Sequence, residues 1–360
     1  MNYHLVLTRR CNLNCLYCHG GEETDSTTEI QYHLDDLAEF LKQDSYKQLM
    51  FYGGEPILRV PLLVEVMDRF PDARFMLQTN GLLLHQIPVE YLHRFHSILV
   101  SIDGREAVTD MYRSDGVYRR VLENIRWLYR QNFRGDVVAR MVISEQSDIY
   151  QDVRHLLDLE NPRFQHVHWQ LNVVWDAEGN WTDFDSWVTN SYKPGIIRLI
   201  SDWVAKMREG VVEGIVPFLP VMRDLLTGQA SPIRCGAGHD TFAIHVDGSI
   251  GICPISPDWP FSIVGNIWNT TPQELHDVMG VEEPCPSCED YALCGGRCLF
   301  ANRNRLWGDN GFLKVCDTVK HLLSCLKHYI PEVKALIQRG RISLEDLAYP
   351  EFNNGCEIIP

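Results

Sequence analysis

Apolar positions in the first half of the chain form short runs separated by helical repeats, so the sequence reads as strand and helix in steady alternation. Residues 3–8 alternate and are rich in β-formers. A polar helical pattern over 29–42 leads into an apolar run at 48–52 that ends in Gly53-Gly54-Glu55-Pro56. The alternation continues with a helix near 61–69, a strand at 74–78 closing on Gln78-Thr79-Asn80-Gly81, and a strand at 97–102 closing on Asp103-Gly104. A helix over 117–131, a strand at 136–143, a helix over 149–159 and a strand at 166–174 follow. Strand–helix units in this order predict an α/β fold with a parallel sheet and right-handed crossovers, here a partial (β/α)6 TIM-type barrel. The glycine and polar signatures at the exits of the first four strands then gather on one rim, where barrel enzymes place their chemistry.

Beyond residue 175 the periodicity weakens, with helices expected over 194–208 and 219–227. Cysteine density rises at Cys235, and runs at 241–246 and 249–253 flank Asp247-Gly248, a hairpin signal. The segment 284–298 is dense in Cys, Gly and Pro and reads as a lobe built on bound ligands, with little apolar core of its own. Helices at 315–329, 331–339 and 344–347 close the chain. The expected division is a barrel at 1–230, a cysteine-rich domain at 231–330 and a helical tail at 331–360, with no accessory domain before the first strand.

Composition narrows the functional classes. Apolar residues make up 45% and charged residues 22% of 360, which is a globular balance. No apolar run is long enough to span a bilayer and no basic segment precedes one, so a cytoplasmic protein without a membrane partner is expected. In that setting the twelve cysteines read as reduced thiolate ligands rather than disulfides. The formal charge of -15 opposes the phosphate attraction on which nucleic-acid binders rely.

Cys11, Cys15 and Cys18 supply three thiolates in a C-x3-C-x2-C run. Three ligands hold three irons of a cubane cluster and leave the fourth open for chemistry. A zinc site completed by His19 is the alternative reading.

The run CNLNCLYC resembles the signature of the radical S-adenosylmethionine (SAM) superfamily, with Tyr17 before the last cysteine. The resemblance implies that the open iron chelates SAM, and that one electron from the cluster cleaves it to methionine and a 5'-deoxyadenosyl radical. It carries roles onto several rim residues. Gly53, Gly54 and Glu55 resemble the element that receives the SAM ammonium, and Ser101 and Asp103 the element that contacts the ribose. Arg140 matches the basic residue that pairs with the SAM carboxylate, a task suited to a planar fork of donors, and Tyr17 and Leu171 are adenine contacts.

A second array comprises Cys235, Cys253, Cys285, Cys288, Cys294, Cys298 and Cys316, more ligands than one tetrahedral site uses. With Gly265-Asn266-Ile267 between its halves, it resembles the SPASM extension of radical SAM enzymes, which carries two auxiliary 4Fe-4S clusters. The resemblance implies an outer cluster on Cys285, Cys288, Cys294 and Cys316, and an inner one on Cys235, Cys253 and Cys298. Structural zinc is the alternative. The inner set is one ligand short, leaving its iron open to substrate or to a cap from Cys325, Cys356 or His239. Cys356 is also a candidate hydrogen donor.

The resulting expectation is an oxidoreductase of the maturase type, in which three 4Fe-4S clusters and SAM serve hydrogen abstraction from a residue of a ribosomally made peptide or protein. Its electron donor is expected to be of the ferredoxin or flavodoxin class. The absence of a peptide-recognition domain ahead of the barrel weighs against leader docking of the usual kind. A radical SAM alcohol dehydrogenase acting on a small molecule and a zinc-stabilised binding module are the competing readings. Tyr52, Gln78, His168, Asn172 and Asp176 fall near strand ends as acid–base candidates, and none is assigned.

Overall fold

The computed structural model describes residues 1–18, 28–173, 181–231, 233–255, 259–350 and 359–360. Six parallel strands form as the pattern predicts: β1 (Asn2–Thr8), β2 (Gln48–Gly53), β3 (Arg74–Thr79), β4 (Phe95–Ser101), β5 (Asp136–Ile143) and β6 (His166–Leu171). Each neighbours its sequence successor in the sheet. Their centres are covered on both faces, which is why β1 and β4 read as unbroken apolar runs such as Leu5-Val6-Leu7 and Ile98-Leu99-Val100, all buried. The covering helices show the complementary pattern. Val117–Arg130 buries Val117, Val121, Ile125 and Leu128, a stripe repeating every three to four residues.

The sheet does not stop at β1. Thr241–Ile244 (β7), buried at every position, adds in parallel to the free edge of β1, with Asn2 opposite Thr241 and Leu5 opposite Ile244. Ser249–Gly251 (β8) and Ile263–Asn266 (β9) then continue antiparallel. The result is one open nine-stranded sheet in the order β6-β5-β4-β3-β2-β1-β7-β8-β9. A first strand with an unpaired edge needs a partner, and the cysteine-rich region provides it. The sheet therefore runs across the expected boundary at residue 230.

Other differences are local. The helix expected over 29–42 forms only at Leu34–Leu41, because the chain ahead of it bridges back to β1, with the Arg9 amide donating to Thr28 O at 2.8 Å. The short helix Glu106–Arg113 was not expected, and residues 344–347 give a 3-10 turn at Glu345–Leu347. The strand expected to reach residue 174 ends at Leu171, and Val174 lies outside the described residues.

Apart from the sheet, the cysteine-rich region has a small apolar nucleus in which Ala237, Ile252 and Leu299 are the buried members, as its composition predicts. The helix Ile330–Gln338 of the expected tail does not stand apart but packs, like Gly308–His328 before it, into the main body. Val315, Val319, Leu322, Leu323 and Val333 enter the main core, and Lys193–Asp317 and Arg208–Glu332 pairs, each at 2.6 Å, fasten them to Lys193–Arg208. Among the described residues, no helix is long and apolar enough to cross a membrane.

Candidate active site

The first cysteine loop leaves β1 and is held by the exit of β2. The Gly54 amide donates to Thr8 O at 2.9 Å and the Glu55 amide to Arg10 O at 2.8 Å. A Cβ on Gly54 would stand 2.6 Å from Arg9 O and closer still to Arg10 O. Gly53 takes a φ of +140°, where a side chain is strained. The close approach that these glycines permit is thus to the cysteine loop itself.

Glu55 differs from its expected role. Its carboxylate is fully buried, accepting from Ile57 N (3.0 Å), Thr79 Oγ1 (2.9 Å) and Asn80 N (2.7 Å). Burial pushes the carboxyl up to about 7 against the pull of these bonds. It does not line the cavity described below, so what this loop presents there is Gly53 and Gly54, while Glu55 braces the exit of β3. Asn80 extends the brace, with Nδ2 donating to Asn12 Oδ1 at 2.7 Å and approaching Cys11 Sγ at 3.9 Å.

Asp103 also departs from expectation. Its carboxylate is fully buried and accepts from Tyr17 Oη (2.7 Å), from Arg113 twice (2.7 and 2.9 Å) and from Val142 N (2.8 Å). Those four donors hold it within the protein, and it does not line the cavity described below. Ser101 does face the cavity. Arg113 and the helix that carries it were missed in the sequence; the helix is eight residues long and no side-chain cap opens it.

A cavity of about 650 Å³ opens at this rim, within the range of small-molecule sites. Cys11, Cys15, Cys18, Ser101, Arg113 and Arg140 all line it, as do His245, Asp247 and Ser249 from the β7–β8 turn. Docking of β7 on β1 is what brings that turn over the rim. Burial pushes Cys15 up to about 11 and also raises Cys11, with neighbouring thiolates adding to both shifts. Such thiols are poor ligands until a cationic core compensates them. Three cysteines opening on a cavity of this size match the donor set of a cluster with an open iron. Among the described residues, no group of three or more His, Cys, Asp or Glu side chains stands close enough to hold a metal ion; His19 is outside the described residues.

A second recess of about 170 Å³ is lined by Cys235, Cys253 and Cys298 and by Leu171. Leu171 faces this recess and not the larger cavity. The two share Tyr17, Tyr52, Gln78, Arg140 and Gln170 along their walls. Cys285, Cys288, Cys294 and Cys316 form another neighbourhood. Burial raises Cys285, Cys294 and Cys316, Cys294 to about 11, and the charges adding to these shifts include other members of the four. Cys235, Cys253 and Cys298 thus line one recess, while Cys285, Cys288, Cys294 and Cys316 lie close enough to influence one another.

The suggested caps fare differently. Cys325 lies on Gly308–His328 with His321 Nε2 at 3.5 Å, away from the recess, and His239 pairs with Asp277. Cys356 falls outside the described residues, as does Asp176. Of the acid–base candidates, Tyr52 and Gln78 line both cavities, Asn172 lines the recess, and His168 is fully buried off both.

A family-wide sequence pattern gives this rim its class. Residues 5–159, less than half of the chain, match the Radical SAM superfamily. A domain of this superfamily implies SAM and a 4Fe-4S cluster. The chain is 29% identical over 119 residues to an uncharacterized protein of Methanocaldococcus jannaschii, covering 31% of this chain and 41% of that one. It is 35% identical over 139 residues to an AdoMet-dependent heme synthase of Methanosarcina barkeri, covering 35% and 38%. The match thus spans about two fifths of the length of these curated relatives.

The fold likeness reaches further. The structure of anSMEcpe with bound AdoMet superposes with a TM-score of 0.74 at 18% identity, covering 94% of this chain and all of that one. Streptococcus suis SuiB bound to precursor peptide SuiA superposes with a TM-score of 0.57 at 15% identity, covering 83% and 72%. The likeness takes in both the parallel sheet and the cysteine-rich extension, so the architecture is the partial barrel with SPASM-type extension expected from the sequence.

Proposed function

We propose that the chain is a radical SAM enzyme that modifies a residue of a ribosomally made peptide or protein. One observation carries the reading: three thiols, two glycines and Arg140 line a single cavity, whose walls continue into a recess lined by three further thiols. SAM and the first cluster, when bound, supply a 5'-deoxyadenosyl radical. The chain's own residues hold and shield that chemistry. Cys11, Cys15 and Cys18 are the cluster ligands, Arg140 pairs with the SAM carboxylate, and the β7–β8 turn helps exclude water from the cavity. Ser101 contacts the ribose, and Tyr17 and Leu171 lie on the adenine side.

Cys235, Cys253 and Cys298 hold an inner auxiliary cluster, and Cys285, Cys288, Cys294 and Cys316 an outer one, giving three in all. The substrate residue lies between Tyr52, Gln78 and Gln170, and a ferredoxin- or flavodoxin-class protein supplies electrons. Support for a peptide substrate comes from the fold likeness to SuiB bound to its precursor peptide. A small-molecule substrate is favoured by the higher identity to a heme synthase. Anaerobic incubation with SAM, reductant and peptides encoded beside the gene, followed by mass spectrometry, separates the two. A peptide whose mass changes only with SAM supports the reading; SAM consumed with a small alcohol and no altered peptide overturns it. Iron and sulfide analysis tests the cluster assignment, and zinc alone would refute it.

A further inference from the structure

We propose that Arg113, clamped by Asp103, is a positioning residue that places a buried cation beside the first cluster and eases its one-electron reduction. The inference rests on reading Cys11, Cys15 and Cys18 as cluster ligands. Arg113 is 5% exposed, yet it lines the same cavity as those thiols. Two bonds at 2.7 and 2.9 Å fix its guanidinium plane on Asp103, in the paired geometry that suits an arginine and not a lysine.

The clamp is tied to the cysteine loop at three points. Tyr17, between Cys15 and Cys18, donates to the same Asp103 carboxylate at 2.7 Å. Its ring centroid lies 5.4 Å from the Arg113 guanidinium carbon. The Leu16 amide donates to Tyr112 O at 2.9 Å, joining the loop to the residue before Arg113. Asp103 is itself held by Val142 N on β5 and, through its own amide, by Thr109 Oγ1 at 3.1 Å.

The pair is neutral as a whole but is oriented. Arg113 lines the cavity and Asp103 does not. The cationic end of the pair is therefore the one turned to the cavity that the three cysteines line. Reduction by the external donor adds one electron, and hence one negative charge, to a cluster already bearing thiolates. A nearby cation in a low-dielectric site stabilises that reduced form relative to the oxidised one.

The test is an EPR-monitored redox titration of the full-length holoenzyme, following the signal that changes when SAM is added. Arg113→Met should take up wild-type iron while the fraction of that cluster reduced at a fixed poise falls roughly tenfold, about 59 mV for one electron. Arg113→Lys keeps the charge and should titrate with the wild type. A Met variant that is fully loaded and titrates like the wild type overturns the proposal. Should the Met variant fail to take up iron, the Lys variant decides: a loaded protein at wild-type potential supports the proposal, and a tenfold loss of reduced cluster, or failure to load, refutes a role for the charge. Wild-type protein without iron would instead refute the ligand reading beneath it.

Discussion

Gly54→Ala tests how the rim holds the cysteine loop. The added methyl would sit 2.6 Å from Arg9 O and closer still to the carbonyl of Arg10, all of it backbone that cannot swing aside. Ordinary carbon–oxygen contacts begin near 3.3 Å, so the loop must retreat by about an ångström. That movement breaks the bonds from Gly54 N to Thr8 O and from Glu55 N to Arg10 O. At ~1 kcal/mol for each bond plus residual strain, the expected loss is about 2–4 kcal/mol. A domain of ordinary stability survives this, but Cys11 is carried away from Cys15 and Cys18.

The informative assay is paired: urea unfolding of the metal-free protein, and iron content after anaerobic reconstitution. Gly116→Ala is the control. Gly116 has a φ of +76° but nothing within 4 Å of the place an added methyl would take, so the change costs only the ~1–2 kcal/mol of left-handed backbone. It should leave iron content intact. A Gly54→Ala protein with wild-type stability and full iron would refute the reasoning, because the close contact would then have been relieved at no cost.

Three further outcomes follow from the geometry. Arg140→Ala should weaken SAM binding at least tenfold by calorimetry while iron content is unchanged; undiminished affinity removes Arg140 from the site. Glu55, raised from 4.5 to about 7 by burial, keeps its proton when folded at pH values where the unfolded chain has released it, so its contribution to stability is lost as pH rises from 4.5 through 7. The metal-free wild type should lose about 3 kcal/mol more than Glu55→Gln over that window in urea titrations, and parallel curves would refute it. Cys294, pushed up to about 11 by burial and by Cys316 and Cys285, should be alkylated slowly at pH 8 in the metal-free protein, with rates climbing roughly tenfold per pH unit; a fast, pH-independent reaction would contradict this.

Much of the candidate site was legible because its residues are local. Cys11, Cys15 and Cys18 lie within one loop, and Gly53-Gly54-Glu55-Pro56 directly follows a strand, so spacing alone placed them together. Asp103 and Glu55 were visible as residues, but the partners that hold them were not. Each is a carboxylate at a strand exit, and only the positions of Arg113, Tyr17, Thr79 and Asn80 around them turn them inward. Arg113 itself lies on a helix too short to announce its period. Leu171 was placed on the right strand, but which of two adjoining cavities it faces depends on how the Cys235–Cys253 region packs over the rim.

Taken alone, the sequence determined the order and parallel sense of the first six strands and the spacing of the first three cysteines. Those follow from periodicity and short-range spacing, which act over a few residues. Tertiary structure alone decided that β7 joins β1, that the β7–β8 turn lines the cavity, and that Cys235, Cys253 and Cys298 line one recess beside it. Pairing between residues 2 and 241 leaves no mark in either segment beyond a fully buried strand. An exposed sheet edge and a short apolar run find each other only when the core has brought both to the same place.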